Sequence, residues 1–259
     1  MSVPTPASSM NETEALLPAL PQKIIFCIDV SNDMTGEISR VLCGGADDTF
    51  LEPTSRIEVV KRLILRFISL KLLANPNHEF AVILLAERAI WHMNFTSDKL
   101  LLEAAIEEIG PLGTFSSFDM NSLLKTILSQ VDINNSEHFI QAIVIYGRSG
   151  CIPSDPSKEL LSQMQWCTSF VFDMLYIHEK KSEVNCPQDV YNRWLQLESD
   201  VYPGWFFDFG RLARRRIALA MMQLLAHPLQ RAEQEDMEIE ELKDITMHED
   251  TLILLDDDD

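Results

Sequence analysis

The sequence has no cysteines at a spacing that metal or disulfide chemistry would use. Its five, Cys27, Cys43, Cys151, Cys167 and Cys186, lie far apart without a CxxC pair. A disulfide framework and a zinc knuckle are therefore not expected, and free thiols in a reducing compartment are the simpler reading. No window reaches about 18 uninterrupted apolar residues, so no membrane span is expected. The opening "PTPASSMNETEALLPALPQ" has neither a basic n-region nor a continuous apolar run, so it does not read as a secretory signal. For that reason the triplets at Asn11, Asn94 and Asn134 are not read as glycosylation sites. Basic charge is scarce: 21 Lys and Arg face 40 Asp and Glu, a net charge of −19. With no basic field to offset phosphate repulsion, nucleic acid is not expected as a direct ligand. The histidines, His78, His92, His138, His178, His227 and His248, form no HxH or HExxH and no His–Cys pair at ligand spacing. They read as surface or capping residues.

What is present suits one domain of about 200 residues with tails. Hydrophobic residues make up 46% of the 259 positions, enough for a full core. Residues 1–21 are polar and proline-rich, and read as a flexible leader. "KIIFCIDV" is a short apolar run suited to a strand buried on both faces. Residues 35–53, "TGEISRVLCGGADDTFLEP", read as a loop insertion. "TSRIEVVKRLILRFISLKLLA" is an amphipathic helix with a Thr or Ser cap. Ile57, Val60, Ile64, Phe67 and Ile68 lie on one side; Arg56, Arg62, Arg66 and Lys71 lie among the others. "HEFAVILLAE" and "AIWHMNF" predict a tight antiparallel hairpin. Helices follow at "TSDKLLLEAAIEEI" and, capped by Asp119, at "DMNSLLKTILSQV". A strand at "FIQAIVIYG", a helix at "SDPSKELLSQMQ", a strand at "SFVFDMLYI", a helix at "PQDVYNRWLQLE", a short edge strand at "GWFFDFG" and a last helix at "RLARRRIALAMMQLLA" complete the order. The alternation predicts an α/β fold: a mainly parallel central sheet, one antiparallel edge strand, and helices on both faces.

Chemistry concentrates at "KIIFCIDVSNDM". In an open α/β sheet, ligands bind beyond the carboxyl ends of the strands, at the point where strand order reverses. Asp29, Ser31 and Asp33 fall just past the first strand, and two carboxylates with a hydroxyl are hard oxygen ligands suited to magnesium or manganese. The other reading is that they bond the loop backbone. Ser31 lacks a GxSxG elbow and a histidine partner. Asp29 lacks the later lysine and second acid that phosphotransfer would need.

The element order and "IDVSND" resemble a von Willebrand factor A domain. In that family the first loop reads Asp-x-Ser-x-Ser, and a threonine and an aspartate from two later loops complete a magnesium site. Asp29 and Ser31 match the first two positions, Asp33 replaces the second serine, and Thr114 in "LGTFSSFD" matches the threonine loop. "IVIYGRS" departs, with Tyr146 and Gly147 where Thr-Asp-Gly is usual. The resemblance thus implies a degenerate site at Asp29, Ser31, Asp33 and Thr114, with no metal or other cofactor expected and no catalytic residue. The alternative is a metal-dependent A domain that binds a protein ligand through magnesium.

Five blocks in order, "KIIFCIDVSNDM", "HEFAVILLAERAIWHMNFTSD", "GTFSSFDMNSLL", "FVFDMLYIHEKK" and "LLAHPLQR", resemble the BRISC and BRCA-A complex member family. These are the von Willebrand A-like subunits of two deubiquitinase assemblies, and the similarity covers roughly 23–231. It implies a scaffold without catalysis of its own, in an assembly whose JAMM-type zinc deubiquitinase cuts lysine-63-linked ubiquitin chains. The implied partners are a subunit with ubiquitin-E2-variant folds as direct neighbour and an MPN-like scaffold. One assembly is nuclear and serves DNA repair; the other is largely cytoplasmic and acts in immune signalling and mitosis. No JAMM signature occurs in this chain.

The C-terminal region divides from a domain at 22–226. Residues 227–259 read as a partner-binding segment and acidic tail, in which 13 Asp and Glu between 232 and 259 face only Lys243. Arg211, Arg214, Arg215 and Arg216 give the last helix a basic start, read either as a solvated side or as a docking surface for an acidic partner or the tail. Pro228 ends the helix, and His227, Pro228, Leu229, Gln230 and Arg231 are expected to project as an extended segment that a partner groove could bind. The resemblance implies that this segment docks on the E2-variant subunit. Leu252, Ile253, Leu254 and Leu255 form an apolar island between acids, read as a linear binding motif or as a segment that docks back on its own domain.

Overall fold

β1 (Gln22–Asp29) is buried at every position but Lys23, and its apolar side chains divide by parity between two cores. Ile24, Phe26 and Ile28 enter one, Ile25 and Cys27 the other. That is why the strand reads as a continuous apolar run instead of an alternating one. The computed structural model describes residues 20–38, 54–133, 137–199, 201–210 and 214–234.

The remaining strands are β2 (Glu37–Ile38), β3 (Thr54–Ser55), β4 (Glu79–Leu85), β5 (Ala89–Thr96), β6 (Phe139–Tyr146), β7 (Phe170–Ile177) and β8 (Phe206–Phe209). The helices are α1 (Arg56–Ala74), α2 (Lys99–Glu107), α3 (Met120–Gln130), α4 (Lys158–Gln165), α5 (Pro187–Leu195) and α6 (Arg214–Gln223). The main sheet has six strands in the order β5-β4-β1-β6-β7-β8. All its pairings are parallel except β4 with β5, which is the expected antiparallel edge. One core packs α1, α2 and α6 on the sheet through Ile64, Phe67, Ile106 and Met221. The other packs α3, α4 and α5 through Leu123, Ile127, Met164 and Trp194.

Side-chain caps fix where the helices start. Ser55, Asp98, Asp119 and Ser157 each accept a backbone N–H from the first turn of α1, α2, α3 and α4. α4 therefore begins after Ser157, later than the expected Ser-Asp start, because Ser154 instead accepts from Met120 N at 3.1 Å. The predicted loop insertion opens in β2, which pairs with β3, just past its end, as a short antiparallel ribbon; residues 39–53 lie outside the described residues. Two of the four basic residues expected on the polar side of α1 turn inward, since Arg56 and Lys71 are buried. No described helix is long and apolar enough to cross a membrane.

Candidate functional site

The chain runs from β1 to β4 on one side and returns to β6 on the other, so strand order reverses between β1 and β6. Asp29 ends β1 at that point and is fully buried. Its Oδ1 accepts from Ser31 N at 2.9 Å and from Arg148 Nε at 3.0 Å. Its Oδ2 accepts from Gly147 N at 3.0 Å. A Cβ at position 147 would stand 2.5 Å from Met34 Sδ, so a side chain there would have to displace the buried Met34.

Arg148 was not singled out from the sequence, yet it organises the site. Its side chain is 1% exposed, and its Nη2 also lies 3.0 Å from Asp29 Oδ1. The same Nη2 donates to the carbonyls of Leu85 and, at 2.7 Å, Ala86, while Nη1 donates to Ser117 O at 3.1 Å. The rings of Phe115, Phe118 and Tyr146 lie 5.1–5.7 Å from its guanidinium carbon. Burial alone would lower the pKa of Arg148, but the Asp29 charge, the neighbouring Tyr146 and the hydrogen bond to Asp29 together raise it, so the group stays cationic. Burial pushes the Asp29 carboxyl up, opposed first by Arg148 and then by the N–H groups of Gly147 and Ser31.

A second guanidinium seals the adjoining loops. Arg56 Nη1 donates to Asp33 O at 3.2 Å and Gly147 O at 3.3 Å, and its Nη2 pairs with Glu179. Asp33 thus contributes its backbone carbonyl here. Thr114 is exposed, and its hydroxyl accepts from Asn32 Nδ2 at 3.0 Å. The preceding Gly113 has φ +152°, and its carbonyl accepts from Asn32 N at 2.8 Å, which holds the second loop against the first. Ser31 Oγ is buried and has no hydrogen-bond partner among the described residues. Tyr146 points into the aromatic core, with its hydroxyl donating to Cys151 O at 3.1 Å and its ring 5.1 Å from Trp194. The structure therefore brings Asp29 and Ser31 together, adds Gly147 and Arg148, and turns Asp33 and Thr114 to other partners.

A divalent cation does not fit this arrangement. It needs oxygen lone pairs around it, whereas Asp29 presents oxygens already engaged by two N–H groups and a buried positive charge. Among the described residues, no three His, Cys, Asp or Glu side chains gather at ligating positions. Cys27, Cys151 and Cys167 are buried free thiols, and burial pushes the Cys27 thiol far up, which makes it unreactive.

The C-terminal segment differs from its expectation. Pro228–Gln230 form a 3-10 turn capped by His227, whose Nδ1 accepts from Leu229 N at 3.3 Å. His227 and Pro228 are buried, while Leu229 and Gln230 are exposed. Arg231 folds back: its Nη1 donates to the buried Asp173 Oδ1 at 2.7 Å, and its guanidinium stacks 4.6 Å from Trp205. The segment does not project as an extended peptide because these contacts hold it on its own domain. His78, expected at the surface, is also buried. Of the basic turn, Arg215 is exposed and Arg216 lies 5.8 Å from the Phe209 ring. Arg211, the acidic tail from 235 and Leu252, Ile253, Leu254 and Leu255 lie outside the described residues, as do residues 1–19 of the leader.

No protein-family model matches the chain. The chain is similar to BRISC and BRCA1-A complex member 1 of Mus musculus, at 25% identity over 246 residues and 86% of this chain. The Homo sapiens protein of the same name matches at 26% over 231 residues and 82% of this chain. This chain spans 69% of the mouse protein and 65% of the human one. Among solved structures, a von Willebrand factor type A protein from Catenulispora acidiphila superposes with TM-score 0.52 at 12% identity, covering 81% of this chain and 43% of that one. Proximal thread matrix protein 1 from the mussel byssus gives 0.54 at 14%, covering 80% of this chain and 46% of that one. The fold is von Willebrand A-like.

Proposed function

We propose that this chain is a non-catalytic scaffold subunit of a deubiquitinase assembly of the BRISC or BRCA1-A type. The observation that carries the reading is a likeness to BRISC and BRCA1-A complex member 1 that extends over 86% of the chain. A likeness over 246 aligned residues is that of a domain and not of one motif. The carboxyl-end site supports it as well: with Asp29 engaged by Arg148, Gly147 and Ser31 it offers no open metal position, and the Ser31 hydroxyl beside it is fully buried. In this reading the chain stabilises an assembly built around a JAMM-type zinc deubiquitinase that cuts lysine-63-linked chains. Its direct neighbour is the subunit with ubiquitin-E2-variant folds, and an MPN-like scaffold completes the set. The assembly serves DNA repair in the nucleus and signalling and cell division in the cytoplasm. The contacts to the neighbour are assigned to the exposed part of the C-terminal turn, Leu229 and Gln230, and to the island 252–255.

Affinity isolation of the tagged full-length chain from its own cells, followed by mass spectrometry and a lysine-63-linked diubiquitin cleavage assay on the eluate, tests this. The deubiquitinase, the MPN-like protein and the E2-variant subunit should co-purify, with cleavage that a zinc chelator abolishes. Substituting Leu229 and Gln230 by Asp should reduce recovery of the E2-variant subunit while leaving the melting temperature of the chain unchanged. An eluate without any of the three proteins overturns the proposal.

A further inference from the structure

The geometry points to Arg148 as a built-in cation: its guanidinium takes the electrostatic place that a divalent ion holds in a metal-bearing site of this architecture, and locks three loops and β4 into one metal-independent clamp. The group sits at the strand-order reversal, against the buried carboxylate that ends β1. Its donors serve the first loop through Asp29, the second through Ser117 O, and the end of β4 through the Leu85 and Ala86 carbonyls. It stands on the third loop itself, so one side chain connects four segments that are far apart in sequence.

The electrostatics also match. A carboxylate buried at 0% exposure needs a compensating positive charge within contact distance, and the guanidinium supplies one unit at 3.0 Å. A fixed guanidinium differs from an ion in two respects. Chelators do not remove it, and its donors are already directed to protein oxygens, so it has no vacant position at which to receive an acidic ligand. The face can therefore take part in assembly only by shape and surface groups. The buried Ser31 hydroxyl, without a partner among the described residues, fits the same account: it is an oxygen that a cation would use and that a guanidinium directed at Asp29 leaves idle.

The test compares Arg148→Gly with the unaltered full-length chain by thermal melting in the presence of millimolar manganese or millimolar guanidinium. The variant alone should melt lower by on the order of 10 °C, as expected when one partner of a buried pair is removed. Guanidinium should recover part of that loss. Manganese should do so as well, and a further Asp29→Ala change should abolish both recoveries. Neither additive should move the unaltered chain. If the glycine variant does not fold, two measurements remain. Manganese paramagnetic resonance on the unaltered chain should detect no bound ion that Asp29→Ala removes, and Arg148→Lys, which keeps a charge, should melt at an intermediate temperature without a manganese response. An Asp29-dependent manganese site in the unaltered chain overturns the proposal. So does a folded Arg148→Gly chain with unchanged melting temperature.

Discussion

At the scale of single residues, the most informative groups are buried bases at the opposite end of the sheet. Gln22 N donates to His78 Nδ1 at 2.9 Å, Lys71 Nζ donates to Gln22 Oε1, and Gln22 Nε2 donates to Gln141 Oε1 at 3.2 Å. Gln141 in turn donates to Asp173 Oδ2 at 2.7 Å, which leads to Arg231. Burial, with Lys71 adding to it, lowers His78 to about 4. Burial, with Lys71 and Arg231 adding, lowers His227 to about 4. Burial, with Arg231 adding, lowers Lys71 to about 7. In all three the folded protein binds fewer protons than the unfolded chain, so stability rises with pH across each window. For the histidines that window lies between about 4 and about 6.5. Stability should therefore fall as pH drops from 7 to 4.5, by up to about 1.4 kcal/mol per pH unit for each histidine, and the melting temperature should fall with it. A His78→Gln, His227→Asn chain should show a flatter profile than the unaltered protein when both are scanned calorimetrically, and an equal slope would mean that these rings do not carry the dependence. None of this was legible in the sequence. Arg56 and Lys71 carry the same charge and helix as the exposed Arg62 and Arg66, and only partners distant in the chain, Glu179 for one and Gln22 for the other, draw them inward.

At the scale of elements, residues 227–234 act as a clasp for α6 and β8. The carbonyls left unpaired at a helix C-terminus need donors, and Arg231 supplies them, with Nε on Ala226 O at 3.1 Å and Nη2 on Leu224 O at 3.3 Å. Trp205 Nε1 reaches Ala232 O at 3.3 Å. Gln234 then imitates a neighbouring strand: its amide oxygen accepts from Phe206 N at 2.8 Å and its amide nitrogen donates to Phe206 O at 3.0 Å. Ending the chain after Gln234 should leave the melting temperature within a degree or two. Ending it after Ala226 exposes Asp173 without its cation and should cost about 3–5 kcal/mol, seen as a lower urea midpoint. Equal midpoints for the two truncations would show that the clasp contributes nothing. The large elements were legible because each carries its own period: strands buried on both faces give short apolar runs, and helices give a 3.6-residue stripe. The clasp was not legible, because Pro228 correctly ends a helix but does not say where the chain goes next. That is decided by Asp173, 58 residues away from Arg231. The β2–β3 ribbon was missed for a similar reason, since a two-residue strand has no period to read.

At the scale of the molecule, the fold makes an acidic chain more acidic at its surface. The chain has 21 Lys and Arg against 40 Asp and Glu, and Arg56, Lys61, Lys71 and Arg148 are buried. The cations that would have balanced the exterior are thus partly spent inside, on Asp29, on loop carbonyls and on the sheet floor. Two kinds of electrostatics follow, with opposite responses to salt. The interior pairs, Arg148 with Asp29 and Arg231 with Asp173, have side chains 0–3% exposed and are little affected by mobile ions. The exterior repulsion acts through solvent over about 10 Å at 0.1 M salt and is screened readily. The surface ion pairs are mostly loose, such as Lys23 with Glu79 at 3.6 Å and Lys99 with Glu103 at 3.4 Å, and pairs of that kind contribute at most about 1 kcal/mol. Screening should therefore remove more repulsion than attraction. Raising sodium chloride from low to moderate concentration at neutral pH should increase the melting temperature, and potassium chloride should do the same, because the effect depends on ionic strength alone. A fall over the same range would mean that surface pairs outweigh the net charge, and that the interior cations do not set the electrostatic balance of the domain.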